Sequence, residues 1–176
     1  MDTKILKLKD KLKNAPPTSL FFKRKSAVLI PIIKDQDRYS LIFEKRVERP
    51  MRHSGEISFP GGVLEDDETP IETALRETQE EIGIDPREIE VLGYLKPTKT
   101  KSSGFLIIPV VGYIKDTPSI KVNPDEVEKV LVIPIEDLII RRKKMILGPY
   151  YKVGETVIWG ATARILTDFL EIWKKI

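Results

Sequence analysis

Residues 61–84 read GGVLEDDETPIETALRETQEEIGI and predict a short helix that follows a glycine pair and an acidic loop. Thr69 suits the N-cap position, Pro70 suits the first helical position, and Glu72 completes a capping box with Thr69. Gly83 suits the left-handed position at which a helix ends most easily. Both ends of the helix can therefore be predicted from residue types alone.

This helix is predicted to have an inward side and an acidic side. The residues at helical spacing that should pack inward are Ile71, Ala74, Leu75, Thr78 and Ile82. At about 100° per residue, Glu77, Glu80 and Glu81 are expected in an arc that faces away from them. Like charges four residues apart repel each other, and the helix dipole disfavours anions near the C-terminal end. A solitary acidic pair is typically just solvated. This cluster beside a glycine pair favours a divalent cation instead, because Mg²⁺ binds carboxylate oxygens and bridges to phosphates.

The spacing of these residues resembles the signature of the Nudix hydrolases. Gly62, five residues, Glu68, seven residues and then residues 76–84 follow the pattern glycine-x5-glutamate-x7-REUxEExGU, in which U is a bulky aliphatic residue. Thr78 departs from the first U position, but it lies on the inward side and should affect packing rather than chemistry. The resemblance implies an α/β/α sandwich with a mixed β-sheet between helices. It also implies a metal-dependent enzyme that cleaves a nucleoside diphosphate linked to another group.

The resemblance implies roles for four glutamates. Glu77, Glu80 and Glu81 are expected to be catalytic and to bind Mg²⁺ or Mn²⁺. The general base in this family comes from the signature or from a later loop, so its position stays open. Glu126 is a candidate in the acidic turn after Asn123, and a carboxylate that merely caps a turn is an equally good interpretation.

The other signature residues are expected to hold the loop and the backbone in place. Arg76 is predicted to point off the carboxylate arc and to pair with Glu68 rather than contact the substrate. Gly61 and Gly62 should let the backbone approach the metal or a phosphate, which a side chain would obstruct. Gly83 ends the helix.

Upstream of the glycine pair lies a basic loop, residues 46–60, which reads RVERPMRHSGEISFP. A basic loop beside clustered carboxylates can hold a polyphosphate through charge-assisted hydrogen bonds, whereas by itself it would be interpreted as a solvated loop. His53 is the only histidine in the chain, which excludes a site built from several histidines. Substrate contacts are predicted for Arg46, Arg52, His53, Gly61, Gly62 and Lys99.

Residues 41–62 are similar to an additional motif of the coenzyme A diphosphatase branch of this family, LLTxRSxxLRxHxGxxxFPGG. Three departures from it matter: Glu44 replaces the usual threonine, Val47 replaces a small polar residue, and Met51 replaces an arginine. Arg52, one residue later, is the candidate to take over the contact of that arginine. The branch implies hydrolysis of coenzyme A or its derivatives to 3′,5′-ADP and 4′-phosphopantetheine.

Length and composition favour one globular domain. The chain has 176 residues, a net charge of +3 and no cysteine, which excludes disulfides and thiolate chemistry. Residues 1–17 predict a basic helix ended by a Pro-Pro break, and residues 18–176 a single hydrolase domain. The helix is interpreted as a cap on the domain or an element of a homodimer rather than a membrane anchor. With no apolar run of signal-peptide or membrane-spanning type, a cytoplasmic protein is expected.

Apolar runs and alternation predict strands at residues 26–33, 38–45, 89–95, 105–114 and 130–135. The first two should form a hairpin, and in the second Tyr39, Leu41 and Phe43 alternate with Ser40, Ile42 and Glu44. Residues 154–173 predict a C-terminal helix.

Three other functions compete with this interpretation. A Nudix hydrolase of another nucleotide, such as ADP-ribose, is the nearest alternative. A catalytically silent binding module of this fold is disfavoured, since Glu77, Glu80 and Glu81 are all present. A nucleic-acid-binding domain would need a denser basic face with interleaved aromatic residues, so the expected partner is a small nucleotide substrate, with no nucleic acid and no membrane.

Overall fold

A mixed β-sheet lies between two layers of helices in the computed structural model, which describes residues 2–16, 24–48, 55–100, 104–145 and 148–176. The strands of this sheet are β1 (Lys25–Asp35), β2 (Arg38–Arg46), β3 (Ile57–Ser58), β4 (Gly61–Val63), β5 (Ile89–Tyr94), β6 (Thr98–Lys99), β7 (Leu106–Ile114) and β8 (Val127–Pro134). The helices are α1 (Thr3–Lys11), α2 (Pro70–Ile82), α3 (Ile135–Ile140) and α4 (Gly160–Trp173). The predicted fold class is confirmed.

Strand β1 is the centre of the sheet. It pairs in parallel with β7 and antiparallel with β2, which confirms the predicted hairpin. Strand β2 also pairs with β8 and β3, and β5 lies on the outer side of β7. The short strand β4 pairs with the beginning of β1, so that Gly61 lies opposite Val28 and Gly62 opposite Ala27. This pairing brings the glycine pair onto the central strand.

Alternate residues of β1 enter two separate cores. Ala27 and Leu29 face the core that α2 covers. Ile30 and Ile32 face the opposite core, which is closed by α1, α3 and α4. Both faces of the sheet are therefore buried, as the apolar run in β1 predicts.

Helix α2 begins and ends at the predicted residues. The Thr69 hydroxyl accepts a hydrogen bond from the Glu72 backbone N–H at 3.3 Å, and the Glu72 carboxylate accepts one from the Thr69 N–H at 2.7 Å. Gly83 ends the helix with a φ of 75°. Thr78 is buried, and its hydroxyl donates to the Ala74 carbonyl at 2.6 Å, which agrees with a role in packing.

Helix α1 covers the second core, as predicted for a cap on the domain. Ile5 and Leu8 are fully buried there, and Leu12 is nearly so. The Asp2 carboxylate caps the helix by accepting from the Lys4 N–H at 2.9 Å and also binds the Lys34 ammonium at 2.6 Å. The proposed boundary after residue 17 lies outside the described residues and stays a prediction, as does a homodimer.

The C-terminal region differs from the prediction. Residues 154–159 precede α4 rather than belong to it, because residues 156–158 form a strand. A second, three-stranded sheet contains β9 (Arg142–Met145), β10 (Gly148–Val153) and β11 (Thr156–Ile158), and the sequence did not predict it. The buried Ile158 matched the apolar spacing of the helix although it lies in β11. The strand predicted at residues 130–135 begins earlier, at Val127, and Ile135 already starts α3.

In the part of the chain that the structure describes, no helix is long and apolar enough to span a membrane. A cytoplasmic location stays a prediction.

Candidate active site

The glycine pair meets two glutamates of α2 that lie one helical turn apart. The Gly61 backbone N–H donates to Glu81 Oε2 at 2.8 Å. A Cβ at Gly62 would clash with the Glu77 carboxylate, so this glycine leaves room for a side chain of α2. The predicted close approach at the glycine pair is therefore made, in this structure, by carboxylates of the protein itself.

Glu81 is buried, which corrects the expectation that it faces away from the packed side of α2. The reason is β4, whose Gly61 lies directly against it. The other carboxylate oxygen of Glu81 accepts from Arg46 Nη2 at 2.7 Å. Arg46 belongs to β2, so this bond joins the end of the hairpin to the helix.

Glu77 and Glu80 lie nearer the surface and share one arginine. Their side chains are 16% and 55% exposed, respectively. Arg76 Nη1 donates to Glu77 at 2.9 Å and to Glu80 at 3.1 Å, so the expectation that Arg76 points off the carboxylate arc is wrong. The predicted pairing with Glu68 is confirmed and is bidentate, at 2.7 and 3.0 Å. Glu68 also accepts from the Thr73 hydroxyl at 2.7 Å, which fixes the acidic loop to α2.

A fourth carboxylate, that of Glu44, lies beside the glutamates of α2. In the sequence, Glu44 was noted only as a departure from the branch motif. Its side chain is fully buried on β2, and Oε1 accepts from the Ser58 hydroxyl at 3.1 Å. The Nε atom of Arg46 lies 3.6 Å from the same oxygen. Within the described residues, Oε2 of Glu44 has no hydrogen-bond partner. The alternation of β2 could have predicted that Glu44 is buried, because it places Glu44 on the same face as Ile42, and α2 covers that face.

Burial controls the electrostatics of this group. Burial raises the pKa of Glu81, and the negative charge of Glu44 raises it further, while Arg46 acts in the opposite direction. Burial likewise raises the pKa of Glu44, again opposed by Arg46. The pKa of Glu77 is also raised by its burial, despite the hydrogen bond from Arg76. The site therefore stabilises added positive charge near these three carboxylates.

One predicted residue, Glu126, lies at the margin of the site. Glu126 accepts a backbone hydrogen bond from the Val47 N–H at 2.9 Å, and its carboxylate accepts from the Asn123 amide at 3.2 Å. After the larger effect of burial, its charge contributes to the raised pKa of both Glu44 and Glu77, so it lies within electrostatic reach of them. A role as general base stays a prediction.

The remaining predicted contacts are less constrained. Lys99 is exposed on β6, and its backbone carbonyl accepts from Arg164 Nη2 at 2.9 Å. A substrate contact by its ammonium group stays a prediction. Arg52 and His53 lie outside the described residues, and their predicted contacts stay predictions as well.

Comparison with known proteins identifies the family. The NUDIX domain family matches residues 23–153 of this chain. The chain belongs to the Nudix family. The uncharacterized Nudix hydrolase NudL of Photorhabdus laumondii is 34% identical over 154 residues, covering 81% of each chain. Nudix hydrolase 3 of Caenorhabditis elegans is 43% identical over 116 residues, covering 64% of this chain, which spans only 48% of that protein.

Solved Nudix structures share the fold. A MutT/Nudix family protein from Enterococcus faecalis matches with a TM-score of 0.61 and 14% identity, covering 92% of this chain and 66% of that one. The Nudix domain of Shewanella oneidensis NrtR, solved with ADP ribose, matches with a TM-score of 0.58 and 15% identity, covering 90% and 93%. At these identities the likeness concerns the fold alone.

Membership of this family makes the chain a Nudix hydrolase, an enzyme that hydrolyses the diphosphate bond of a nucleoside diphosphate linked to another group. Nudix hydrolases generally use divalent metal ions. Among the described residues, no three histidine or acidic side chains stand arranged around a common metal position. The side-chain contacts explain this, because Arg46, Arg76 and the Gly61 N–H engage the carboxylates of α2.

Proposed function

We propose that this Nudix hydrolase cleaves coenzyme A or its acyl derivatives to 3′,5′-ADP and 4′-phosphopantetheine, using Mg²⁺ or Mn²⁺ bound by Glu77, Glu80 and Glu81. The observation that carries the hydrolytic part is the meeting of Glu77 and Glu81 with the glycine pair. The choice of coenzyme A is supported by the upstream motif, which is in register with the branch pattern through Gly62.

The donor atoms of these glutamates suit a divalent cation. Carboxylate oxygens are the ligands that Mg²⁺ and Mn²⁺ prefer, and Glu77 and Glu81 are separated by one helical turn. The missing side chain at Gly62 leaves room for the Glu77 carboxylate. A bound divalent cation would neutralise charge on the diphosphate and activate water for attack.

The protein's own residues would orient and balance these carboxylates. Arg76 holds Glu77 and Glu80 and is itself held by Glu68, so the acidic side of α2 is fixed before the substrate binds. Arg46 holds Glu81, and its side chain is still 37% exposed, which leaves donors available to a phosphate oxygen. Glu126 is the proposed base that accepts a proton from the attacking water. The water oxygen adds to one phosphorus, and the bond from that phosphorus to the bridging oxygen breaks.

The second candidate function is hydrolysis of another nucleotide, ADP-ribose in particular. The Shewanella domain that shares this fold was solved with ADP ribose. The departures Glu44, Val47 and Met51 lie within the motif that supports coenzyme A, so the substrate has to be tested directly.

A substrate panel tests the proposal. Coenzyme A, acetyl-coenzyme A, ADP-ribose and diadenosine tetraphosphate would be compared by kcat/KM with Mg²⁺ and with Mn²⁺, and the products identified by mass spectrometry. We expect coenzyme A to be the best substrate and its products to be 3′,5′-ADP and 4′-phosphopantetheine. Reaction in ¹⁸O-water would show which phosphorus is attacked. If ADP-ribose is cleaved far more efficiently than coenzyme A, the branch assignment is wrong while the family assignment stands.

A further inference from the structure

Glu44 and Glu81 form a buried pair of carboxylates that share one guanidinium. Arg46 lies 2.7 Å from an oxygen of Glu81 and 3.6 Å from an oxygen of Glu44. Both carboxylates are fully buried. When both carboxylates are ionised, two negative charges share one guanidinium, and burying that imbalance is costly unless a proton or another cation joins them. The charge balance of this pair therefore favours a further cation.

Glu44 also has an oxygen to which no N–H or hydroxyl group donates. Oε1 accepts from the Ser58 hydroxyl, whereas Oε2 has no such donor within the described residues, and the neighbouring Glu81 carboxyl could donate to Glu44 only when protonated. Buried polar atoms are nearly always satisfied, and an unsatisfied oxygen of a charged group is among the least favourable cases. The oxygen lies on the face of β2 that α2 covers, beside Glu81, which the proposed function makes a metal ligand. This is an independent sign that a ligand completes the group.

We infer that Glu44 supplies a further carboxylate oxygen to the divalent cation held by the glutamates of α2, from a strand outside the signature. The inference rests on the proposed function, which places that cation at Glu77, Glu80 and Glu81. Glu44 would bind the cation through Oε2 while Oε1 remains with Ser58. The cation would thereby join β2 to α2 in addition to the bond from Arg46.

The competing explanation is that Glu44 is only structural and holds β3 against β2 through Ser58. The two explanations differ in their effect on cation affinity. If Glu44 is only structural, Ser58→Ala should lower the free energy of unfolding measured in EDTA, and both Ser58→Ala and Glu44→Gln should leave cation affinity unchanged. If Glu44 binds the cation, Glu44→Gln should weaken affinity while the metal-free stability changes little, because the amide oxygen can still accept from Ser58.

Mn²⁺ affinity in the absence of substrate is the decisive measurement, since it does not depend on turnover. Electron paramagnetic resonance reports free Mn²⁺ during a titration of the full-length protein. We expect Glu44→Gln and Glu44→Asp each to raise the Kd for Mn²⁺ at least about tenfold. The shorter aspartate keeps the negative charge but moves the carboxylate oxygens away from the proposed cation. Its effect therefore separates direct ligation from charge alone. Glu128→Gln is the matched control, because Glu128 pairs with Lys45 on the neighbouring strand, and it should leave the Kd unchanged.

The outcomes separate this inference from the proposed function. Parent-like Mn²⁺ affinity in both Glu44 variants would overturn the role of Glu44 and leave the proposed metal site intact. Absence of Mn²⁺ binding in the parent protein would overturn the metal assignment itself, and the role of Glu44 with it. Weakened binding in both variants, with intact binding in the control, would support both.

Discussion

Gly61 and Gly62 are adjacent, but a side chain at each would strike a different part of the molecule. A Cβ at Gly61 would clash with the Ala27 backbone carbonyl, and its φ of 156° suits few other residues. The three atoms nearest to a Cβ at Gly62 would all belong to the Glu77 carboxylate, which can move. The absence of a side chain at Gly61 therefore allows β4 to pair with β1, and its absence at Gly62 allows Glu77 to keep its position.

We expect Gly61→Ala to lower the free energy of unfolding by about 3 kcal/mol, because the backbone of β1 cannot give way. We expect Gly62→Ala to fold normally and to lower kcat/KM about 100-fold, because displacing a catalytic group by about 1 Å has an effect of that size. Urea unfolding and steady-state kinetics on the two variants would check this. Equal effects of both substitutions on stability would contradict the distinction.

Glu77 and Glu81 should also respond differently to the same substitution. Glutamine at either position removes a proposed metal ligand, so kcat should fall at least 100-fold in both variants. Glu81→Gln should also raise the free energy of unfolding of the metal-free protein, because the neutral amide removes a buried charge that Glu44 repels. Glu77→Gln should change it less, because Glu77 is less buried and pairs with Arg76. Turnover close to that of the parent at saturating Mg²⁺ would contradict the metal assignment.

Among the elements, α1 depends on an ion pair whose strength should vary with pH. The hydrogen bond from Lys34, together with the Lys4 N–H, holds the pKa of Asp2 well below its usual 3.8. A group with a lowered pKa stabilises the folded protein above the pKa of the unfolded chain, and that contribution is lost as pH falls through the folded-state pKa. We therefore expect Asp2→Asn to lower the Tm by roughly 2 °C at pH 7. The difference should shrink as pH falls below 3.8. A difference that stays constant at pH 3 would contradict this account.

Helix α2 shows how far local signals reach. Its cap, its first residue and its end were all predicted, because Thr69, Glu72 and Gly83 act on the backbone within one turn. The burial of Glu81 was not predicted, since it depends on Gly61 and Arg46, which lie 20 and 35 residues away in the chain. The signature could identify the acidic residues of the site but not which of them the sheet would bury.

The prediction for α4 differed most from the structure, again because a local pattern does not reveal a non-local contact. The apolar spacing continued back to Ile158, but pairing of β11 with β10 made that residue part of a strand. A similar non-local effect concealed Glu44, whose environment depends on α2 and on Ser58 of β3. The sequence offered one indication that Glu44 is buried: it is a charged residue within a strand whose two faces are both apolar.

For the molecule as a whole, the two helical layers have different functions. Helix α2 covers one face and carries the proposed chemistry, whereas α1 and α4 close the other face. The Lys34 end of β1, where Asp2 anchors α1, is six residues from Val28 opposite Gly61, which is roughly 20 Å along a strand. A change in the α1 layer should therefore affect stability without altering the site.

Leu8→Ala tests whether α1 and the remaining domain unfold as one unit. Leu8 is fully buried in the core that α1 shares with α4, so its truncation should lower the free energy of unfolding by about 2–5 kcal/mol. Leu6 lies on the same helix and is 46% exposed, and Leu6→Ala should change stability by less than about 0.5 kcal/mol. Both variants should keep the parental kcat for each folded molecule.

Trp173 lies under the Lys4 ammonium at 4.6 Å, so its fluorescence reports on the α1 layer. In a Trp159→Phe background, urea transitions followed by this fluorescence and by circular dichroism should coincide. An early fluorescence transition would instead show that residues 1–17 unfold separately, as an appendage to the hydrolase domain.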